Sequence, residues 1–364
     1  STFRMSSVNK NVAILAAAGS RKTEHIVDSA LAVADGRVLI TTYTSENQRQ
    51  IISRIEKKVG AIPPHITVMG WFSFLIAECA KPYQRALTSE PLRINGLNFT
   101  GRRHRFTKKS NPHYYLDSND ALYRDGVSDF VFRLDNATRG AVVGRLERIF
   151  SHIFVDEMQD LVGYDLDVLD LLIASRIKLM VVGDFRQQTL ATNMGPRNKK
   201  YQGVGLLDWF DKRSHLCNIE TRDYNYRCNQ AICDFADSIF PNMPATSSID
   251  VAVTGHDGIF QIRSNEVSRY VAEHAPVTVL RHDKNVNTEG LPSMNIGVAK
   301  GCTFDRVVIF PTKPMLRFLK DRDETKLSAP ERLYVAVTRA RYSVAFVLPN
   351  GKTKRPEIFP DCSA

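Results

Sequence analysis

The chain has 364 residues, 43% of them hydrophobic and 24% charged, which is the balance of a globular protein with room for two or three domains. No apolar run approaches the roughly 20 residues that span a bilayer, and no secretory signal is visible at the start, so we expect a cytoplasmic protein without a membrane partner. The net charge of +10 favours a polyanionic partner, because each Lys or Arg placed on a phosphate releases counterions.

Short apolar runs rich in Val and Ile recur along the chain. Because the runs are continuous rather than alternating, they predict strands buried in parallel sheets. Helical patterns lie between several of them, at residues 24–34, 45–59 and 229–240. The runs form two sets, at 12–15, 38–41, 66–69, 153–155 and 179–182, and then at 277–280, 295–298, 307–310 and 344–348. Two such sets predict two α/β domains.

Residues 79–150 differ from the rest of the chain. They are rich in Arg, Lys, Asn, Asp and Tyr, with a helical pattern near 119–150. We interpret them as a small, mostly helical, basic insertion. The predicted division is therefore 1–78 with 151–214 for the first domain, 79–150 for the insertion, and 215–364 for the second domain.

The first apolar run leads into a loop at residues 16–23, with the sequence Ala-Ala-Ala-Gly-Ser-Arg-Lys-Thr, and then into a helical pattern. Such a loop binds phosphate through successive backbone N–H groups and the helix N-terminus. Lys22 would neutralise the β- and γ-phosphates of ATP, and the Thr23 hydroxyl would hold Mg²⁺. Ala16 and Arg21 stand at the two glycine positions of the G-x-x-x-x-G-K-[ST] pattern, so the loop by itself fits an ordinary strand–helix turn equally well. The residues predicted to hold the nucleotide are Ala18, Gly19, Ser20, Arg21, Lys22 and Thr23.

Polar residues follow two further apolar runs. Asp156 and Glu157 come directly after the run at 153–155, where Asp156 would anchor Mg²⁺ through water and Glu157 would activate the attacking water. Gln187 comes shortly after the run at 179–182, where its amide would sense the γ-phosphate. Because ligands of open α/β sheets bind at the carboxyl ends of strands, we expect these residues at one edge of a sheet.

The order of these segments resembles the superfamily 1 helicases of the UvrD/Rep type through most of the chain. The matching segments are 22–23 (motif I), 41–44 (Ia), 70–74 (the next DNA-contacting motif), 156–160 (II), Gly183 and Asp184 with Gln187 (III), 225–227 (IV), 299–305 (V) and 334–340 (VI). One such match is weak, whereas this many in order are specific.

The resemblance implies two RecA-like α/β domains with parallel sheets, the P-loop NTPase fold, with ATP and Mg²⁺ in the cleft between them. It implies 3′→5′ movement on single-stranded DNA. It assigns Arg227 and Arg339 as arginine fingers, Tyr226 as the ring that stacks on adenine, and Gly301 as a nucleotide contact. The predicted catalytic residues are then Lys22, Asp156, Glu157, Gln187, Arg227 and Arg339, and the predicted metal ligands are Thr23 and Asp156.

Only 70 residues lie between Arg227 and Val298, too few for the large domain that this family usually inserts there. The chain therefore resembles a reduced form of the motor. We expect it to act with a nuclease or another protein partner, in a setting such as DNA repair or phage defence.

Binding of the single strand is expected from aromatic rings and basic side chains. Rings near motif Ia and in the segment 70–74 can stack on bases, although core packing explains Trp71 and Phe72 equally well. The basic and aromatic residues around 102–115 suit either a nucleic-acid backbone or a solvated loop. The predicted contacts are Thr42, Tyr43, Trp71, Phe72, Arg102, Arg103 and Arg105.

Three residues depart from the family pattern: Arg21 in motif I, Thr303 where motif V usually has Glu, and Gly297 where it usually has His. They keep open a nucleic-acid-binding module with an inactive ATP site. An ATPase switch without unwinding and an enzyme directed to RNA also stay open, since nothing in the sequence reads a 2′-hydroxyl. An active site predicts that Arg21 points out of the loop and leaves the backbone N–H groups for phosphate.

Overall fold

A computed structural model describes residues 10–87, 93–104, 106–109 and 111–350. The chain divides into two compact units. The first comprises the described residues up to Leu15 together with Lys22–Thr221, and the second comprises Ala16–Arg21 together with the described residues from Arg222 onward. Within these ranges no helix is both long enough and apolar enough to cross a membrane.

The first unit is built on a six-stranded sheet with the order β3-β2-β6-β7-β1-β8. Five of these strands pair in parallel, which confirms the predicted parallel sheet and places their carboxyl ends along one edge. Two short strands, β4 and β5, form a separate parallel pair. The strands are β1 (Asn11–Ala16), β2 (Val38–Thr42), β3 (Ile66–Gly70), β4 (Gly96–Asn98), β5 (Ala121–Tyr123), β6 (His152–Val155), β7 (Lys178–Gly183) and β8 (Cys217–Arg222).

The helices of this unit are α1 (Lys22–Leu31), α2 (Ser45–Val59), α3 (Trp71–Phe74), α4 (Lys81–Tyr83), α5 (Val127–Ala137), α6 (Ala141–Ile149), α7 (Tyr164–Ala174) and α8 (Leu206–Asp211). The bounds predicted for α2 are confirmed, because its ends carry clear signals. The Thr44 hydroxyl accepts from Asn47 N at 3.1 Å, and Gly60 ends the helix with a φ of 86°.

The segment 79–150 shares the core of the first unit. Phe130 and Leu134 of α5 are buried in the same apolar cluster as Leu166 and Leu169 of α7. The helical pattern predicted near 119–150 corresponds to α5 and α6. Its first residues instead form β5, whose partner strand β4 was not predicted, since three-residue strands leave no periodic signal.

The second unit contains a five-stranded sheet, parallel throughout, with the order β11-β15-β14-β12-β13, and a separate parallel pair of β9 and β10. Its strands are β9 (Tyr224–Asn225), β10 (Ser247–Ser248), β11 (Gly258–Arg263), β12 (Val277–Arg281), β13 (Ser293–Asn295), β14 (Phe304–Phe310) and β15 (Ala340–Leu348). Its helices are α9 (Gln230–Asp237), α10 (Val267–Glu273), α11 (Lys313–Asp321) and α12 (Pro330–Val337).

Two strand predictions need correction in this unit. The strand predicted at 295–298 ends at Asn295, whose carbonyl accepts from Val298 N at 2.9 Å and so closes a turn. Val298 is accordingly exposed. The sheet strand β11 was missed because a buried glutamine, Gln261, interrupts its apolar sequence.

Candidate nucleotide site and nucleic-acid surface

A carboxylate pair lies directly after β6, at the carboxyl edge of the first sheet. Asp156 is buried, and its carboxylate accepts from the Thr23 hydroxyl at 2.8 Å. Lys22 Nζ lies 3.6 Å from Glu157 Oε1, and both side chains are mostly buried. Glu157 has a φ of 55°, in the left-handed region that non-glycine residues seldom adopt, and such strain concentrates at functional sites. The structure thus brings together the four residues predicted here from motifs I and II.

The Asp156 carboxyl has an unusual titration. Burial and then the neighbouring Glu157 carboxylate raise its pKa, Lys22 and Thr23 act in the opposite direction, and the net result is a pKa of about 6. A cation beside it would favour the ionised form. One carboxylate and one hydroxyl oxygen fit the needs of Mg²⁺, which takes few ligands from the protein and the rest from phosphates and water.

A path of hydrogen bonds joins Glu157 to Gln187 within the first unit. Gln159 Nε2 donates to the Glu157 carboxylate, and Gln159 Oε1 accepts from Asp184 N at 3.1 Å. Asp184 Oδ2 accepts from Gln187 Nε2 at 2.7 Å. Gln159, Asp184 and Gln187 are all buried. Sequence reasoning assigned no role to Gln159 or Asp184, although both stand inside the quoted motifs.

Gly183 makes room for this path. A Cβ atom at this position would lie 2.5 Å from Gln159 Oε1, 3.2 Å from Gln159 N and 3.3 Å from Met158 N. The first of these distances is shorter than any real contact of a Cβ atom. The absence of a side chain at the end of β7 therefore lets Gln159 reach Asp184.

The loop Ala16–Arg21 is part of the second unit. Gly19 has a φ of 71°, and its carbonyl accepts from Tyr226 N at 3.0 Å. A Cβ atom on Gly19 would lie 2.3 Å from Asn225 Oδ1. Ala18 N donates to the Tyr334 hydroxyl at 3.4 Å. In this conformation at least one loop N–H group therefore has a protein acceptor.

Arg21, the weakest point of the predicted loop, is exposed and has a φ of 58°. Its guanidinium lies 4.2 Å from the centroid of the Tyr226 ring, within the range of a cation–π contact. The side chain is thus directed to a ring and not into the loop. The ring that the resemblance assigns to adenine carries a guanidinium in this conformation.

The two predicted arginine fingers meet at Thr338. Arg227 Nη1 donates to the Thr338 carbonyl at 3.0 Å, and Arg339 Nη2 donates to the Thr338 hydroxyl at 3.3 Å. Arg339 is buried and also donates from Nε to the Val335 carbonyl at 3.1 Å. Gly301 lies between β13 and β14 with a φ of 87°. Sequence reasoning missed Thr338, which both arginines share.

Four side chains of the first unit form an aromatic cluster near the ends of β2 and β3. Phe72 packs edge-on against Tyr43, with ring centroids 5.8 Å apart, and against Phe99 at 6.5 Å. Arg124 lies over Phe99, with the guanidinium 5.1 Å from the ring centroid. Phe99 is half exposed and Phe72 is 7% exposed. The most exposed ring of this cluster is therefore Phe99, which the sequence did not single out because it lies outside the motifs and before the basic stretch around 102–115.

The stacking role predicted for Trp71 needs correction. Trp71 is 1% exposed, and its Nε1 donates to Asp165 at 2.7 Å. A ring so enclosed packs in the core, which was the alternative left open for it. Thr42 is buried as well, so its side chain offers no open surface for a strand.

The basic part of the insertion is exposed at Arg102 and Arg103. The Arg103 guanidinium lies 4.2 Å from the centroid of the Tyr114 ring, and Lys109 Nζ lies 5.6 Å from it. Arg105, also predicted to contact nucleic acid, lies outside the described residues. These contacts give cationic groups a fixed place on an exposed surface, which suits a phosphate backbone.

Comparisons with known proteins bear on the family and the fold of this chain. Residues 75–189 match the family model of the UvrD/REP helicase N-terminal domain, a range that contains the acidic pair and Gln187 but not the loop at 16–23. No match was found among curated proteins. The crystal structure of Arterivirus nonstructural protein 10, a helicase, superposes with a TM-score of 0.50 at 17% identity, covering 93% of this chain and 59% of that one. The complex of Arterivirus nonstructural protein 10 with DNA gives 0.46 at 17% identity, covering 93% and 60%.

This chain therefore spans about three fifths of the length of the helicase that it resembles, given a coverage of 59%. A likeness at this identity concerns the fold. It supports the RecA-like, two-domain P-loop fold predicted from the motifs, together with the parallel sheets of both units.

Proposed function

We propose that this chain is an ATP-driven motor of the UvrD/REP type of superfamily 1 helicase and acts on single-stranded DNA, a proposal supported by the match of residues 75–189 to the UvrD/REP helicase N-terminal domain. The match at residues 75–189 and the shared fold support the family predicted from the motifs, whereas the reduced form stays a prediction. One observation carries the proposal: the buried carboxylate of Asp156 and the mostly buried carboxylate of Glu157 face Thr23 and Lys22 at the start of α1.

Each of these groups would have a defined task in phosphoryl transfer. Lys22 would exchange its ion pair with Glu157 for the phosphates, which frees the Glu157 carboxylate to accept a proton from the attacking water. Thr23 and Asp156 would hold Mg²⁺, which when bound neutralises phosphate charge. Arg227 and Arg339 would stabilise the charge of the transition state.

Gln187 would report the presence of the γ-phosphate to the rest of the first unit. The hydrogen-bond path through Asp184 and Gln159 ends on Glu157, so a shift at either end changes the partners of the other. A nucleotide-driven switch requires a second arrangement of this path, and we propose that the γ-phosphate selects it. We propose that this switch alternates the grip on the strand and moves it 3′→5′, the direction that the resemblance implies.

The decisive experiment compares ATP hydrolysis with and without single-stranded DNA, with single-stranded RNA as the third arm. Glu157→Gln should lower the rate by about 10²–10⁴-fold, the usual contribution of a general base, while nucleotide binding is retained. Glu46→Gln is the matched control, because Glu46 is exposed on α2 and its carboxylate contacts Arg49 and Gln50 of the same helix. No hydrolysis under any condition would refute the motor, and unchanged hydrolysis by Glu157→Gln would refute its mechanism.

A second function is translocation or signalling without strand separation. It is favoured by the structure of residues 228–297, where the family usually inserts a large domain. They form α9, β10, β11, α10, β12 and β13, and three of these six elements, β11, β12 and β13, are strands of the second sheet. Hydrolysis stimulated by single strands without unwinding of a duplex would select this function. Unwinding restored by an added nuclease or other protein would select the motor that works with a partner.

A further inference from the structure

A buried carboxylate outside the nucleotide site joins three separate parts of the first unit. Asp165, in the first turn of α7, is 1% exposed. Its Oδ1 accepts from Trp71 Nε1 at 2.7 Å and from the Ser128 hydroxyl. Its Oδ2 accepts from the Thr192 hydroxyl and from Val162 N at 3.3 Å. Each oxygen therefore serves two donors, which compensates for the burial that raises the pKa of this carboxyl.

The donors come from elements with different tasks. Trp71 begins α3 and is followed by Phe72, which packs against Tyr43 in the aromatic cluster. Ser128 lies in α5 of the insertion. Thr192 follows Gln187 by five residues, beyond the short turn in which Gln187 lies.

Thr192 is held by more than its hydroxyl. Its N–H donates to the Asp160 carbonyl at 3.0 Å, and its hydroxyl oxygen accepts from Val162 N at 3.0 Å. The segment after Gln187 is thus tied to the segment after the acidic pair, and through Asp165 to the aromatic cluster. Together with the five-residue step of backbone from Gln187 to Thr192, these contacts connect the predicted γ-phosphate sensor with the predicted single-strand surface.

We infer that Asp165 is a positioning residue that transmits the nucleotide state from the Gln187 segment to the aromatic cluster through Thr192 and Trp71. The expected effect on hydrolysis stimulated by DNA rests on the proposed function, whereas the contacts of Asp165 do not. Coupling between two distant sites requires an element whose conformational equilibrium both sites shift. The Asp165 carboxylate is placed for this, because it binds Thr192 on the side of Gln187 and Trp71 on the side of the aromatic cluster.

Asp165→Asn tests this without opening a cavity. The amide keeps the size of the side chain but turns one acceptor into a donor, so it cannot serve the Trp71 and Thr192 sides as the carboxylate does. Asp170→Asn is the matched control, since Asp170 lies on the same helix and accepts from Arg213 Nη2 at 2.6 Å. Thr192→Val removes the hydroxyl from the other side of the same contact.

The first readout is the fluorescence of Trp71, made the sole tryptophan by Trp209→Phe, because the chain has only two. Addition of Mg²⁺ and the non-hydrolysable analogue AMP-PNP should change the emission of Trp71. We expect this response to fall at least about fivefold in Asp165→Asn and Thr192→Val and to persist in Asp170→Asn, since typical couplings are about 5–150-fold. An unchanged response in Asp165→Asn, or no response in the parent, overturns the inference.

The second readout separates positioning from stability. In Asp165→Asn the rate without DNA and the KM for ATP should stay near those of the parent, while stimulation by oligo(dT) falls by at least about fivefold. Parallel loss of both rates would mean a structural role only and would contradict the inference. Thr192→Val should add little to Asp165→Asn in a double-mutant cycle, and it gives the same test should Asp165→Asn not fold.

Failure of the proposed function gives a different result. It would appear as an absence of stimulated hydrolysis in the parent chain, whereas the fluorescence comparison needs only nucleotide binding. A Trp71 response that depends on Asp165 in a chain without stimulated hydrolysis would support the connection and refute the motor.

Discussion

The side-chain amide of Gln159 donates to the Glu157 carboxylate and accepts from Asp184 N. Neither hydrogen bond could have been predicted from the sequence. The carboxylates and Gln187 were predictable because their residue types suit Mg²⁺ and phosphate and because they follow apolar strands. A glutamine two residues beyond an acidic pair has no such signature. Its role follows from the approach of two strand ends in space, which only the register of β6 against β7 determines.

Arg21 gives a test at the scale of one side chain. Because its guanidinium lies over the ring assigned to adenine, we expect Arg21→Ala to lower the KM for ATP by about two- to fivefold with kcat unchanged. That range corresponds to the roughly 0.5–1 kcal/mol of an exposed cation–π contact. Steady-state hydrolysis measures both constants.

Arg269→Ala serves as the control, because it removes an exposed arginine of α10 that pairs with Glu273. A higher KM in Arg21→Ala would show instead that the guanidinium helps to hold the nucleotide.

Among the secondary-structure elements, those with continuous apolar sequences were predictable and the others were not. β1, β2, β3, β6 and β7 lie close to their predicted bounds, and for the four of them inside the sheet (β1, β2, β6 and β7) burial on both faces demands uninterrupted apolar residues. β8 (Cys217–Arg222) was missed, because it lies at the end of the sheet and is mostly exposed. The loop at 16–23 was placed correctly between β1 and α1, but its contacts with Asn225 and Tyr334 depend on residues far away in the chain.

A stacked histidine, His256, lies just before β11 and should make the stability of the second unit depend on pH. The His256 ring stacks on Phe260 and on His274, and its Nε2 lies 2.7 Å from the Tyr270 hydroxyl. Burial, His274 and Arg306 lower the pKa of His256 to about 4, with Asp257 acting in the opposite direction. The unfolded chain therefore binds a proton that the folded chain does not between about pH 6.5 and pH 4, so stability falls as the pH drops through that window.

We expect the free energy of unfolding to fall less between pH 7.5 and pH 5 in His256→Phe than in the parent, because phenylalanine keeps a stacked ring and cannot ionise. The difference should be about 1 kcal/mol, allowing for partial solvent screening. Urea unfolding at pH 7.5 and pH 5 measures it. His215→Gln, at an exposed position, is the control. An equal loss in the parent and in His256→Phe would assign the pH dependence to other groups.

At the scale of the whole molecule, the charge of +10 predicts binding that weakens steeply with salt. Each phosphate contact on a single strand contributes about 0.7 to the slope of log affinity against log salt. Replacing Arg102 and Arg103 by Gln should therefore reduce the slope by about 1.4 if both contact phosphates.

Fluorescence anisotropy of labelled oligo(dT) over a salt series measures this slope. As a control, Arg269 and Lys320, both exposed in the second unit, are replaced by Gln. This double substitution should leave the slope of log affinity against log salt nearly unchanged. Equal reductions in the two variants would mean that the insertion contributes only to the net charge.

Gly183 has a consequence for how the sequence can vary. The Gln159 side chain, which follows a different strand, occupies the space that a side chain at position 183 would fill. The requirement for glycine at 183 therefore comes from a residue outside its own strand. In a saturation library of the first unit, even alanine at 183 should be depleted under selection for activity. Shortening residue 159 at the same time should leave the depletion in place, because the amide that joins Glu157 to Asp184 would then be lost and the backbone of Met158 and Gln159 would still lie close to the added Cβ atom.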